Sequence, residues 1–133
     1  MAVVLTSRST MLDDRRAAQA VDLDRAERNG VTILALRGQL VAENAASLKA
    51  EAVALEEARV SKILVDLRGL THLDSSGVGA LMALFKRLGG DRGRVYFAGA
   101  KDQPAYILKV VGFAKTMALC ETVEDAMRRL GVP

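Results

Sequence analysis

The run Ile63-Leu64-Val65-Asp66-Leu67 constrains this chain more than any other segment. It is short, apolar and bounded by polar residues, the pattern of a strand buried within a sheet. A helix is predicted next, from Ser75 or Ser76 to about Leu88, because Val78, Leu81, Met82, Phe85 and Leu88 recur at spacings of three and four before Gly89-Gly90. Val95-Tyr96-Phe97-Ala98 predicts a further strand. Strand, helix and strand joined by a connection of this length imply a right-handed parallel crossover.

The flanking sequence extends this unit in both directions. Asn29-Gly30 lies between Val21-to-Asp24, where apolar and acidic residues alternate, and the β-rich run Val31 to Leu36. That dipeptide tolerates the positive φ angles of a tight turn, so a β-hairpin is predicted. An amphipathic helix is predicted from Glu43 to Ala58, with Ala45, Leu48, Ala52 and Leu55 inward and Glu51, Glu56 and Glu57 outward. Arg68 to Leu73 reads as the loop leaving the buried strand. A third helix is expected from about Pro104 to Val111, a short strand from Thr116 to Leu119, and a fourth helix after Glu121 or Thr122 that turns Val123, Ala126, Met127 and Leu130 inward. The expectation is one α/β domain over residues 19–133: a mixed sheet opened by a hairpin, with about four helices packed mainly on one face. Residues 1–18 show no sustained period and read as a flexible N-terminal arm, with a short helix around Met11 to Ala18 as the alternative.

Composition narrows the function classes. At 133 residues and 50% hydrophobic the chain holds one core and leaves no room for a second catalytic domain. One Cys (Cys120) and one His (His72) cannot supply the three or four ligands of a Cys/His zinc site, and no cofactor motif is present. Cys120 reads as a buried, inert thiol. The net charge is +3, of which the first 18 residues contribute +1 from Arg8, Arg15 and Arg16 against Asp13 and Asp14. The remainder forms no basic stripe, and aromatic residues at 4% offer no stacking platform, so nucleic acid is not an expected partner. Lys86, Arg87, Arg92 and Arg94 cluster around the end of the second helix; a solvated face is the first reading and an acidic partner the second. No apolar run reaches membrane-spanning or signal-peptide length, and a cytoplasmic location without membrane insertion is expected.

Chemistry concentrates in Leu73-Asp74-Ser75-Ser76-Gly77-Val78-Gly79-Ala80-Leu81. It follows the buried strand and opens a helix, where α/β sheets tend to place functional groups. Asp74, Ser75 and Ser76 are all good N-cap types, because a short side-chain oxygen can accept from the unpaired N–H groups of the first turn. A capped helix start is the plain reading. The sharper one is that an exposed hydroxyl there carries a phosphate, which the helix head stabilises by about 0.3 to 1 kcal/mol when exposed. A hydrolase triad of Ser75, His72 and Asp66 is rejected, since no G-x-S-x-G elbow surrounds Ser75.

These residues resemble a known family. Gly38-Gln39-Leu40, the helix ending in Glu-Glu-Ala, Ile63 to Leu67, the Leu-Asp-Ser-Ser-Gly-Val-Gly-Ala-Leu signature and Val111-Gly112-Phe113 look like the STAS domain, closest to bacterial anti-sigma factor antagonists. The resemblance spans roughly Ala20 to Leu130 and implies a non-enzymatic partner-switching protein. Its unphosphorylated form would bind an anti-sigma factor that is also a serine kinase of the histidine-kinase-like ATPase fold. Phosphorylation at Ser75, with Ser76 as the alternative, would end the complex, and a PP2C-type phosphatase would reset it. The implied partner surface is Asp74, Ser75, Ser76, Gly77, Val78, Leu81 and Met82, with Glu43 and Asn44 near it. One departure stands out: Val41 follows Gly-x-Leu where relatives commonly carry an aspartate. A constitutive STAS adaptor, in stress signalling or lipid transport and not regulated by phosphorylation, is the alternative that this departure keeps open. A weak homodimer is a separate expectation.

Overall fold

The hairpin forms where Asn29-Gly30 predicts it. In the computed structural model, which describes residues 3–6, 21–116 and 118–132, Asn29 and Gly30 turn at φ 53° and 81° between β2 (Asp22–Arg28) and β3 (Val31–Leu40). β3 then pairs in parallel with β4 (Ile63–Leu73), β4 with β5 (Val95–Ala98), and β5 with β6 (Leu119–Cys120). Within the stretch read as an arm, Val3–Thr6 runs as β1, antiparallel to β2. The rest of that stretch, including the alternative helix at 11–18, lies outside the described residues. Among the described residues the sheet has six strands, and their spatial order is their order in the chain.

The connections are helical, as the 3.6-residue periods require. β3 leads into α1 (Ala45–Glu57), β4 into α2 (Ser75–Arg87), and β5 into α3 (Asp102–Val110) with the short α4 (Phe113–Thr116); α5 (Val123–Arg129) follows β6. Ile63, Val65 and Leu67 point to one face of β4, where they meet Leu48 and Leu55 of α1, Leu81, Leu84 and Phe85 of α2, and Leu108 of α3. Leu64 points to the other face, against Ala126 and Met127 of α5. β4 is therefore apolar on both sides because helices cover both sides, with α1, α2, α3 and the short α4 on one face and α5 on the other. The three phenylalanines meet in the larger core: Phe97 stacks on Phe85 at 6.1 Å and receives Phe113 edge-on at 5.1 Å. Fully burying side chains of this kind contributes about 1.5–3 kcal/mol each, so this face carries most of the fold's stability.

Three sequence expectations need correcting. β4 runs through Leu73, so Arg68 to Leu73 is strand and not loop; its far half pairs with β3 across register shifts between Ala35 and Arg37 and between Gly38 and Gln39. Glu51 does not face out. It is 7% exposed and accepts from the Arg25 guanidinium of β2, which ties the hairpin to α1. The short strand is Leu119–Cys120 and not Thr116–Leu119, because the chain after Gly112 first makes the turn of α4 that buries Phe113.

Candidate functional site

Asp74 organises the carboxyl end of β4. As N-cap of α2 it lies in extended backbone, and its Oδ1 accepts from the Gly77 N–H at 2.9 Å. Its Oδ2 accepts from the Ala42 N–H at 3.0 Å, so one carboxylate holds the head of α2 against the β3–α1 loop. The first i→i−4 bond of the helix runs from the Val78 N–H to the Asp74 carbonyl at 2.9 Å. The N–H groups of Ser75 and Ser76 thus precede the helical ladder at the positive end of the dipole. Both serines are exposed, and Asp74 is half-buried beside them.

Close packing fixes where this head sits. A Cβ on Gly77 would come within 2.2 Å of the Leu40 carbonyl oxygen and 2.7 Å of Leu73 Cδ1, so only glycine lets α2 approach the end of β3 so closely. Asn44 braces the same loop without capping α1. Its Oδ1 accepts from the Val41 N–H at 2.9 Å and its Nδ2 donates to the Gln39 carbonyl at 2.8 Å. Thr71 adds a bond from its hydroxyl to the Gly38 carbonyl at 3.0 Å.

Gln103 escaped the sequence reading. Its side-chain amide pairs with the backbone of Leu73, accepting from the N–H and donating to the C=O, both at 2.9 Å. β5 pairs with β4 only as far as Asp66, so the far half of β4 has no strand on that edge, and the Gln103 amide takes a strand's place one residue before Asp74. No linear spacing could have found it, because thirty residues separate the pair.

The expected partner surface divides. Ser75, Ser76 and Glu43 are exposed, and Asp74, Met82 and Val41 are half-buried. Val78 is 6% exposed and Leu81 fully buried, so both belong to the core beneath the serines and not to a recognition surface; Gly77 and Asn44 are buried as well. Solvent instead meets Ser75, Ser76, Gly79 and Ala83 on α2, a run of small side chains that leaves the helix backbone approachable. The triad types do not assemble: His72 is an exposed strand residue whose Nδ1 lies 3.2 Å from Thr71 Oγ1, while Asp66 accepts from the Arg68 backbone and guanidinium. That hydrogen bond and the attraction to the Asp66 charge raise the pKa of Arg68 further. Among the described residues no three His, Cys, Asp or Glu side chains are grouped to hold a metal, and no helix is long and apolar enough to cross a membrane.

Known proteins share this fold. The STAS domain model matches residues 22–126. The chain is similar in structure to an anti-sigma factor antagonist from Mycobacterium paratuberculosis, at 21% identity and TM-score 0.76 over 84% of this chain and 94% of that one. It is also similar to the anti-sigma factor antagonist SpoIIAA in its unphosphorylated form, at 22% identity and TM-score 0.61 over 84% and 97% of the two chains. A sulfate transporter family protein from Wolinella succinogenes matches at 20% identity and TM-score 0.64 over 78% and 87%.

Proposed function

The chain belongs to the STAS domain family, and from that premise we propose that it is an anti-sigma factor antagonist controlled by phosphorylation at Ser75. Its unphosphorylated form binds an anti-sigma factor that is also a serine kinase of the histidine-kinase-like ATPase fold, which frees a sigma factor in the cytoplasm of a bacterium. The kinase modifies Ser75, the complex dissociates, and a PP2C-type phosphatase restores the hydroxyl. The observation that carries this reading is an exposed serine in the first turn of α2, beside an aspartate whose two oxygens are already engaged. Asp74 is thereby occupied in shaping the helix head, and the Ser75 hydroxyl is left to react. The chain itself does no chemistry in this scheme.

The switch needs no refolding. Phosphorylation adds about −1.5 to −2 charge and three acceptor oxygens at one point of the surface. Inside an interface an uncompensated charge of this kind costs about 2 to 5 kcal/mol, or roughly 30-fold to several-thousand-fold in affinity. Asp74 adds like-charge repulsion. The run Ser76, Gly79, Ala83 lets a partner come close to the helix, which sharpens its sensitivity to one added phosphate.

Val41 favours a second reading, a constitutive STAS adaptor, since the position where relatives commonly carry an aspartate holds a half-buried apolar side chain. One experiment separates the two. The protein is incubated with ATP and a candidate kinase of the stated fold, its intact mass and phosphosite are determined, and wild type, Ser75→Ala and Ser75→Asp are compared in pull-down with that kinase. A gain of about 80 Da, one phosphate, at Ser75, with binding kept in Ser75→Ala and lost in Ser75→Asp, is the expected result. Equal binding by all three proteins without phosphate transfer would establish the adaptor. Phosphate on Ser76 alone would move the switch by one residue.

A further inference from the structure

The pole of the molecule opposite Ser75 carries a second feature. α2 spans 13 residues, so its far end lies about 20 Å from its head. There the ends of α1 and α2 and the turn before β5 enclose a cleft of about 240 Å³ lined by Arg59, Arg87, Arg92, Arg94, Glu56 and Ser61. Four arginines and one glutamate share that lining. Glu56 pairs with Arg87 at 2.8 Å, both about half exposed. Arg59, Arg92 and Arg94 have no carboxylate partner among the described residues.

The backbone is shaped around these arginines. Arg59 sits at φ +57°, a left-handed conformation that a bulky residue seldom adopts, just past the end of α1. Gly89 stands at φ +82°, and a Cβ built on it would meet Arg94 Cδ at 3.0 Å and Arg92 Nη2 at 3.4 Å. The Arg94 stem and the Arg92 guanidinium therefore lie against the glycine, and both residues line the cleft. The negative ends of the two helices account for Lys86 and Arg87 in the last turn of α2 and for Arg59 just past α1, whose own last turn carries no basic residue. They do not account for Arg92 and Arg94, which lie beyond the helix and against Gly89.

We infer that this cleft is an anion site for a diphosphate group, free or carried by a nucleotide. Planar guanidinium forks donate in pairs to phosphate oxygens, and several forks converging on one small volume match a ligand that concentrates several negative charges in two adjacent tetrahedra. The Ser61 hydroxyl adds a neutral donor. Glu56 occupies one fork while the cleft is free and competes with the anion for Arg87. The site rests on no part of the Ser75 reading.

The test is calorimetric titration of the full chain at low ionic strength with inorganic pyrophosphate, and in a second arm with ADP, both without added metal. Saturable binding is expected, weakened by at least about tenfold in the double variant Arg92→Gln/Arg94→Gln. Glu56→Gln should tighten it by about two- to fivefold, because it releases Arg87. Arg28→Gln, an exposed arginine on the hairpin, and Ser75→Asp should leave it unchanged. Equal affinity in the two arms assigns the phosphates as the whole ligand, and tighter ADP binding assigns a nucleotide. Absence of saturable binding, equal loss in Arg28→Gln, or a double variant that binds as wild type, its fold checked by circular dichroism, would overturn the proposal. Weaker binding in Glu56→Gln would also count against it.

Discussion

Asp74 does two structural tasks with one carboxylate, and Gly77 makes both feasible by bringing the helix head to the end of β3. Gly77→Ala must push either the Leu40 carbonyl or the helix aside, and overpacking of this kind costs about 1 to 3 kcal/mol. Urea denaturation should show that loss, together with weaker partner capture, since the serines move with the helix. Cys120 gives a second test at this scale. It is 8% exposed, and burial raises its thiol pKa above the ordinary 9.0, the main cause, against the opposing pull of Arg129. The native thiol should react with a disulfide reagent such as DTNB far more slowly than the urea-unfolded chain at pH 8. The sign of the linked stability follows: the folded state holds its proton longer, so its contribution is complete below the unfolded thiol's pKa and is lost as pH rises through the folded one. A Cys120→Ala variant should lack that alkaline loss in a urea series taken across pH 9. A cap among Asp74, Ser75 and Ser76 and a buried thiol at Cys120 were legible in the sequence from residue type and position, whereas the choice of Asp74 depends on the Ala42 and Gly77 amides that the fold brings to it. Glu51 was not, because a glutamate reads as outward until Arg25, 26 residues away, is brought beneath it.

At the scale of elements, α3 reaches the head of α2 through a single side chain. Gln103 fixes Leu73, Leu73 precedes Asp74, and Asp74 sets the first turn of α2. Gln103→Leu leaves the Leu73 N–H and C=O half-buried without their partners, at a cost of about 1 to 3 kcal/mol. Amide hydrogen exchange should rise at Leu73 and in the first turn of α2, with the hairpin unaffected; an increase spread evenly over the chain would argue against this local link. The elements themselves were largely readable from period and punctuation, since Asn29-Gly30 and Gly89-Gly90 mark boundaries that apolar spacing fills in. The far half of β4 was not. Arg68, Gly69, Thr71 and His72 interrupt its apolar run, and its pairing comes from β3 on one edge and one amide on the other. Likewise the displacement of β6 toward Cys120 depends on Phe113 turning into the core, which the local sequence does not announce.

For the molecule as a whole, burial and recognition are separated in space. The larger core lies between the sheet and the α1 and α2 face, while the serines stand outside it. Ser75→Asp should therefore shift the melting temperature by less than about 4 °C, the shift expected for roughly 1 kcal/mol in a domain of this size. Differential scanning calorimetry measures this directly, and a larger drop would mean that the site is part of the structural frame. The strand order carries a further consequence, for biosynthesis. Because each strand lies beside the one before it in the chain, the sheet can be laid down in the order in which the ribosome delivers it, with each new strand finding its template already in place. The serine-bearing pole is complete in its backbone once residue 87 has emerged, apart from the clasp supplied by Gln103, whereas the opposite pole waits for Arg94. A stalled chain released between those two points would present the first surface without the second.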